Sequence, residues 1–161
     1  MIKSLKESFK IGISFGLVSG VLTTLGLLIG LGVSTGSKEA VIGGILTIAI
    51  ADSLSDSFGV HLSQESSGNR SQKQVWEATF STFFSKFFFA LTFMIPVILL
   101  DLNSAVLVSV AWGLFLIGFL SYFISKWNGD RVLSSIVEHF ALFLMVTASS
   151  YLVGLLINIY F

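Results

Sequence analysis

The chain has 161 residues, 54% of them hydrophobic and only 11% charged, with one proline, no cysteine and a formal charge of zero. Soluble domains carry about a quarter charged residues, so the composition argues for a chain built in a bilayer. The absence of cysteine excludes disulfides and thiolate metal sites, and the neutral balance gives no ground for a nucleic-acid partner.

A spanning helix needs about 20 mostly apolar residues, and five segments qualify: about 11–34, 40–63, 75–100, 104–125 and 132–160. The pattern predicts an all-α membrane protein with a single five-helix domain over 1–161. Alternating ten-residue segments, the mark of a spanning β-barrel, do not occur.

The first apolar run, 11–33, follows three lysines but is longer than the apolar stretch of a signal peptide, so a retained helix is expected. It carries Gly12, Gly16 and Gly20, a doubled GxxxG that lets another backbone approach closely, within the subunit or between two. Ser19, Thr23 and Thr24 follow, hydroxyls that by default bond back to their own helix.

The second span contains Asp52 and Asp56, one turn apart and therefore on one face, with Ser55 and Gly59 beside them. His61 and Glu65 form a further i,i+4 pair at its end. The third span repeats Glu77, Ser81 and Ser85 on one stripe, with Thr82 and Lys86 on the next, and is rich in phenylalanine (80, 83, 84, 87, 88, 89, 93). Lipid contact and core packing account for those rings. Pro96 is expected to kink its far end. The fifth span adds Glu138 and His139 about two turns in.

The links, STGSK at 34–38, SSGNRSQK at 66–73, DLN at 101–103 and KWNGD at 126–130, are short enough to make successive spans antiparallel neighbours. Lys3, Lys6, Lys10, Arg70, Lys73, Lys126 and Arg131 fall on one side of the bilayer, and only Lys38 on the other. Seven against one places the N-terminus in the cytosol and the C-terminus outside or in a lumen.

Helix rise puts Asp56 roughly 12 Å and Asp52 roughly 18 Å from the cytosolic end of span two, and Lys86 roughly 16 Å along span three. The lysine is therefore level with both acids if the two spans are adjacent. An unpaired charge at that depth costs at least about 3 kcal/mol. One lysine cannot neutralise two ionised aspartates, so either a cation joins the group or one acid carries a proton. The plain alternative is that Lys86 is only a structural counter-charge. Imidazole and carboxylate together suit Mn, Fe and Zn, which makes Asp52, Asp56, Glu77, Glu138, His61 and Glu65 candidate metal ligands. An intramembrane aspartyl protease brings its two acids from different helices, whereas both acids here share one. No nucleophile, phosphate-loop or cofactor motif appears, and an enzyme is not expected.

These residues also carry a resemblance. FG at 15–16 with GVLTT at 20–24 resembles the first-helix pattern FGxxDGLVTT of the vacuolar iron transporter family. ADSLS at 51–55, Gly59 and LS at 62–63 resemble its second-helix ADALSMGxGxYLS, ATFSTF at 78–83 and Pro96 its third helix, and SYLVG at 150–154 its fifth. The chain departs where that family has a first-helix aspartate (here Ser19) and a second-helix metal-binding methionine (here Asp56). It also lacks the family's acidic cytosolic extension and adds Lys86. The resemblance implies five spans, a homodimer with its pathway along the first helices, and export of Fe²⁺ or Mn²⁺ from the cytosol, coupled to protons. It implies no permanently bound cofactor. The membrane would be the plasma membrane of a prokaryote, or a vacuolar or other endomembrane of a eukaryote. A non-transporting structural or regulatory relative, and a carrier of another solute, are the alternatives.

Overall fold

A helix satisfies its own backbone hydrogen bonds, which is why apolar runs of this length take that form in a bilayer. The computed structural model describes the backbone of residues 2–129 and 131–161, and the side chains of all these but 2–6 and 128. The side chains of Lys3 and Lys6, counted above among the cytosolic charges, lie outside the described ones. No strand occurs among the described residues. The helices are α1 (Ile2–Thr35), α2 (Lys38–Thr47), a π-helical turn (Ile48–Asp52), α3 (Ser53–Ser66), α4 (Gln72–Thr92), α5 (Met94–Leu99), α6 (Leu102–Asn128) and α7 (Val132–Tyr160).

Five stretches are long and apolar enough to cross a membrane: Glu7–Thr35, Lys38–Ser66, Gln72–Leu99, Leu102–Trp127 and Val132–Tyr160. The chain is thus an all-α integral membrane protein, as its composition requires. Most of the helix ends run a few residues past the apolar cores, because polar flanks such as Lys38 and Gln72 extend a helix at little cost in the wet interface.

Each link has a local cause. Gly36 takes φ 61° and closes α1 by donating to Gly32 O, and Ser37 Oγ accepts from Ala40 N to start α2. Ser71 opens α4 with Gln74, whose Oε1 reaches back to the Ser71 amide at 2.8 Å. Pro96 has no amide hydrogen for a carbonyl four residues back, and α4 ends at Thr92. Asp101 caps α6, accepting from Ser104 N at 3.0 Å. That amide, and then the Ser104 hydroxyl, hold the Asp101 carboxyl below its ordinary range. The cap is therefore complete above the ordinary carboxylate value and is lost as pH falls through the lowered one.

The chain resolves into two compact units, Met1–Gly20 with Leu46–Thr92, and Val21–Ile45 with Phe93–Phe161. In the first, α3 and α4 pack side by side, and Ser53, Ser57, Thr79, Ser81 and Thr82 are their buried small polar residues. The glycine strip of α1 faces α4. A Cβ on Gly12 would overlap Ser81 Oγ, one on Gly16 would come 2.6 Å from Thr82 O, and one on Gly20 3.1 Å from Lys86 O. Ser85 Oγ donates across this seam to Ile13 O at 3.0 Å. Of the two uses expected for Gly12, Gly16 and Gly20, the structure places packing within the subunit. On the neighbouring stripe of α4, Phe80, Phe84 and Phe88 recur every four residues and are exposed, as rings that meet lipid would be.

The second unit buries Leu25, Leu28, Val41, Ile45, Val97 and Phe143. Gly113 admits the Phe143 ring and Gly154 sits 2.7 Å, from its would-be Cβ, off Gly30 O. Little of α7 is buried, and Leu144, Met145, Leu152 and Leu156 are among its exposed apolar residues.

The strip supplies a stability test. Gly16→Ala forces α1 away from Thr82 O and should cost about 1–3 kcal/mol in thermal unfolding in detergent. Gly59→Ala, where a Cβ meets nothing within 4 Å, should cost nothing of that size.

Candidate functional site

Four side chains of the first unit meet inside it. Lys86, on α4, is fully buried. Its Nζ lies 2.5 Å from Asp52 Oδ2 and 2.5 Å from Asp56 Oδ2, and donates to Ser19 Oγ at 3.0 Å. Ser19 in turn donates to Asp56 Oδ2 at 2.6 Å. An ammonium has three protons, and here each has an acceptor. Asp56 takes two donors, from Ser19 and Lys86. Lys86 is level with both acids, as the rise per residue predicts for adjacent spans.

The sequence builds this group by small steps. Gly20 lets α1 come within about a van der Waals contact of the Lys86 backbone, which brings Ser19 to the ammonium. The π-helical turn ends at Asp52, closed by Ser53 N donating to Ile48 O, with Ser53 Oγ 3.3 Å from the same carbonyl. Sequence reasoning missed this turn, and it gave Ser19 only a back-bonding role.

The two carboxylates are not sealed. The Asp52 side chain is 37% exposed and that of Asp56 24%, against none for Lys86. Asp56 opens on a groove of about 490 Å³ lined by Ile11, Phe15, Ser55, Gly59, Ser63 and Gln64. Two carboxyl groups on one helix face thus share a single lysine.

The other candidate ligands are placed apart. His61 lies on the opposite side of α3, in an aromatic groove with Trp76, whose ring is 4.7 Å away, and its Nδ1 meets Thr79 Oγ1 at 3.0 Å. Thr79 spends its own proton on Val75 O, which makes His61 Nδ1 the donor in that bond. His139 is held in the same way by Ser121, which back-bonds to Ile117 O. Glu65 is exposed. Glu77 lines a third groove, among Phe9, Phe80, Phe84 and Phe88, with Oε2 buried and without a hydrogen-bond partner. Glu138 is exposed on α7, in the second unit. Among the described residues no three of His, Asp and Glu converge to hold a metal ion. Within the first unit the structure joins Asp52 and Asp56 through Lys86, while His61 and Glu77 line other grooves. Thr24 Oγ1 is buried without a partner, so it does not take the back-bond that a helical threonine normally finds.

Fold and site together define a five-span, all-helical membrane protein in which one buried ammonium is shared by two intramembrane carboxylates. No family model matches the chain, and no curated protein matches it.

Proposed function

We infer that this chain is a cation carrier: a homodimer that exports a divalent transition metal, iron or manganese, from the cytosol in exchange for protons. The observation that supports this is a pair of partly exposed carboxyl groups on one buried lysine, with Asp56 open on a groove that Ser55, Ser63 and Gln64 also line. A structural ion pair in a membrane is served best by one acid and one base closed against each other. Here Asp52 and Asp56 keep exposed edges, and a mobile cation or proton is what would balance them. The metal as substrate, the proton coupling and the outward direction come from the sequence resemblance and the lysine bias. A second copy laid along the Ile11, Phe15 and Ser55 face would cover acids that lipid cannot solvate.

A second reading has its own observation. All three protons of Lys86 are taken by acceptors, which is how a purely structural lysine would be held.

Uptake of Fe²⁺, Mn²⁺, Zn²⁺ and Co²⁺ into proteoliposomes decides between them. The carrier should move at least one of these ions far above the rate of empty vesicles, and faster with an opposing proton gradient. A tag after Phe161, tested with protease in the same vesicles, should sit on the side opposite the N-terminus. Flux at the level of empty vesicles for every ion would leave the structural reading.

A further inference from the structure

Glu77, on α4 in the first unit, has a carboxyl oxygen that nothing serves. Its Oε2 is buried and takes no hydrogen bond, and among the described residues no ion pair reaches it. Lys73, one turn earlier on the same helix, is exposed and not paired with it. The hydroxyls that follow on its stripe are already committed. Ser81 donates to Glu77 O at 2.6 Å and Ser85 to Ile13 O at 3.0 Å, and each has a single proton. A carboxyl oxygen shut from water without a partner is costly, and an ionisable group kept inside a span at such a cost marks a binding site by default.

The surroundings of Glu77 limit what it could bind. It opens on a groove of about 410 Å³ whose walls include Phe9, Phe80, Phe84 and Phe88, each at least 50% exposed. Among the described residues no lysine or arginine lines this groove, so a phosphate would find no counter-charge there and would be repelled by the carboxylate. That argues against a phospholipid headgroup. A divalent metal, which takes roughly four ligands or more, finds one carboxylate and two serine hydroxyls among phenyl rings. A cation with its own apolar coat suits both parts of the groove. The carboxylate meets its charge, and the ring faces attract the cation and pack against its substituents.

We propose that this groove is a binding site for a lipophilic onium cation, a quaternary ammonium or phosphonium, with Glu77 as its counter-charge and the rings of Phe9, Phe80, Phe84 and Phe88 as its walls. None of Asp52, Asp56 and Lys86 lines the groove, so the site goes beyond the metal reading and does not rest on it.

Tetraphenylphosphonium is the probe, measured by equilibrium dialysis of the protein in a neutral detergent with empty micelles as the blank. The native protein should bind it saturably. Tetraphenylborate has the same shape and the opposite charge, and should bind at least about tenfold more weakly. Glu77→Gln keeps the size of the side chain and removes its charge, so affinity for the phosphonium should fall at least about tenfold while thermal unfolding stays as it was. Added phosphatidylcholine should leave the bound probe in place. Absence of saturable binding overturns the proposal. So does equal binding of the borate, which would make the groove apolar and nothing more, and so does native affinity in Glu77→Gln. Displacement by phosphatidylcholine would give the groove to a lipid headgroup and overturn it as well. The borate comparison uses the native protein and decides even where the variant does not fold. No readout involves metal flux, so a protein that carries no metal could still pass, and a carrier could still fail.

Discussion

Lys86→Met is expected to destabilise the protein by about 3–5 kcal/mol, the range for a buried pair that loses one partner. The lysine is fully buried and serves three acceptors at once, so its removal strands two carboxylates that share a helix face and repel each other. The partial exposure of Asp52 and Asp56 lets water reach them and pulls the expected value toward the lower end of that range. Thermal unfolding in detergent is the measurement. The joint variant Lys86→Met, Asp52→Asn, Asp56→Asn should recover most of the loss, because neutral groups of similar size are tolerated where a lone charge is not. If Lys86→Met unfolds at the native temperature, the ammonium is not what holds these spans together. If the triple variant stays as unstable as the single one, the loss comes from packing along the lysine stem rather than from charge.

The part of this site that was legible in the sequence is the part set by helix geometry. Asp52, Asp56 and Lys86 could be brought level because the rise per residue is fixed and the link at 66–73 forces α3 and α4 to be neighbours. Ser19 could not be placed, because a hydroxyl in a membrane helix has its own carbonyl four residues back as a default partner, and only the approach of α1 at Gly20 gives it a better one. The π-helical turn was equally illegible. Its residues, Ile48–Asp52, include no glycine or proline and are compatible with an α-helix, so nothing in the local pattern marks it. The pair His61 and Glu65 shows the opposite failure. Their spacing allows contact, but His61 instead meets the Thr79 hydroxyl and the edge of Trp76 on α4. The glycine strip announced a close helix contact and not which helix would make it; Ser81, Thr82 and Lys86 answer that.

Asp56→Asn separates the two readings of the cluster, because it changes charge while keeping shape. The amide can still accept from Ser19 and from Lys86, and Lys86 keeps Asp52 as a charged partner, so the group becomes one acid to one base. Stability should therefore change by no more than about 1 kcal/mol, the net worth of a typical hydrogen bond. If the second carboxyl group serves a moving cation, metal flux into proteoliposomes should nevertheless fall by at least about a hundredfold, since losing one ionic ligand costs roughly 3 kcal/mol or more in a low-dielectric site. Restoring the acid with Asp56→Glu should return part of the flux, which a purely structural role would not require. The two measurements have to be made on one preparation, so that a poorly folded variant is not taken for an inactive one. Native flux in a stable Asp56→Asn would remove Asp56 from the pathway. Loss of stability together with flux would instead identify the second acid as part of the scaffold that Lys86 holds.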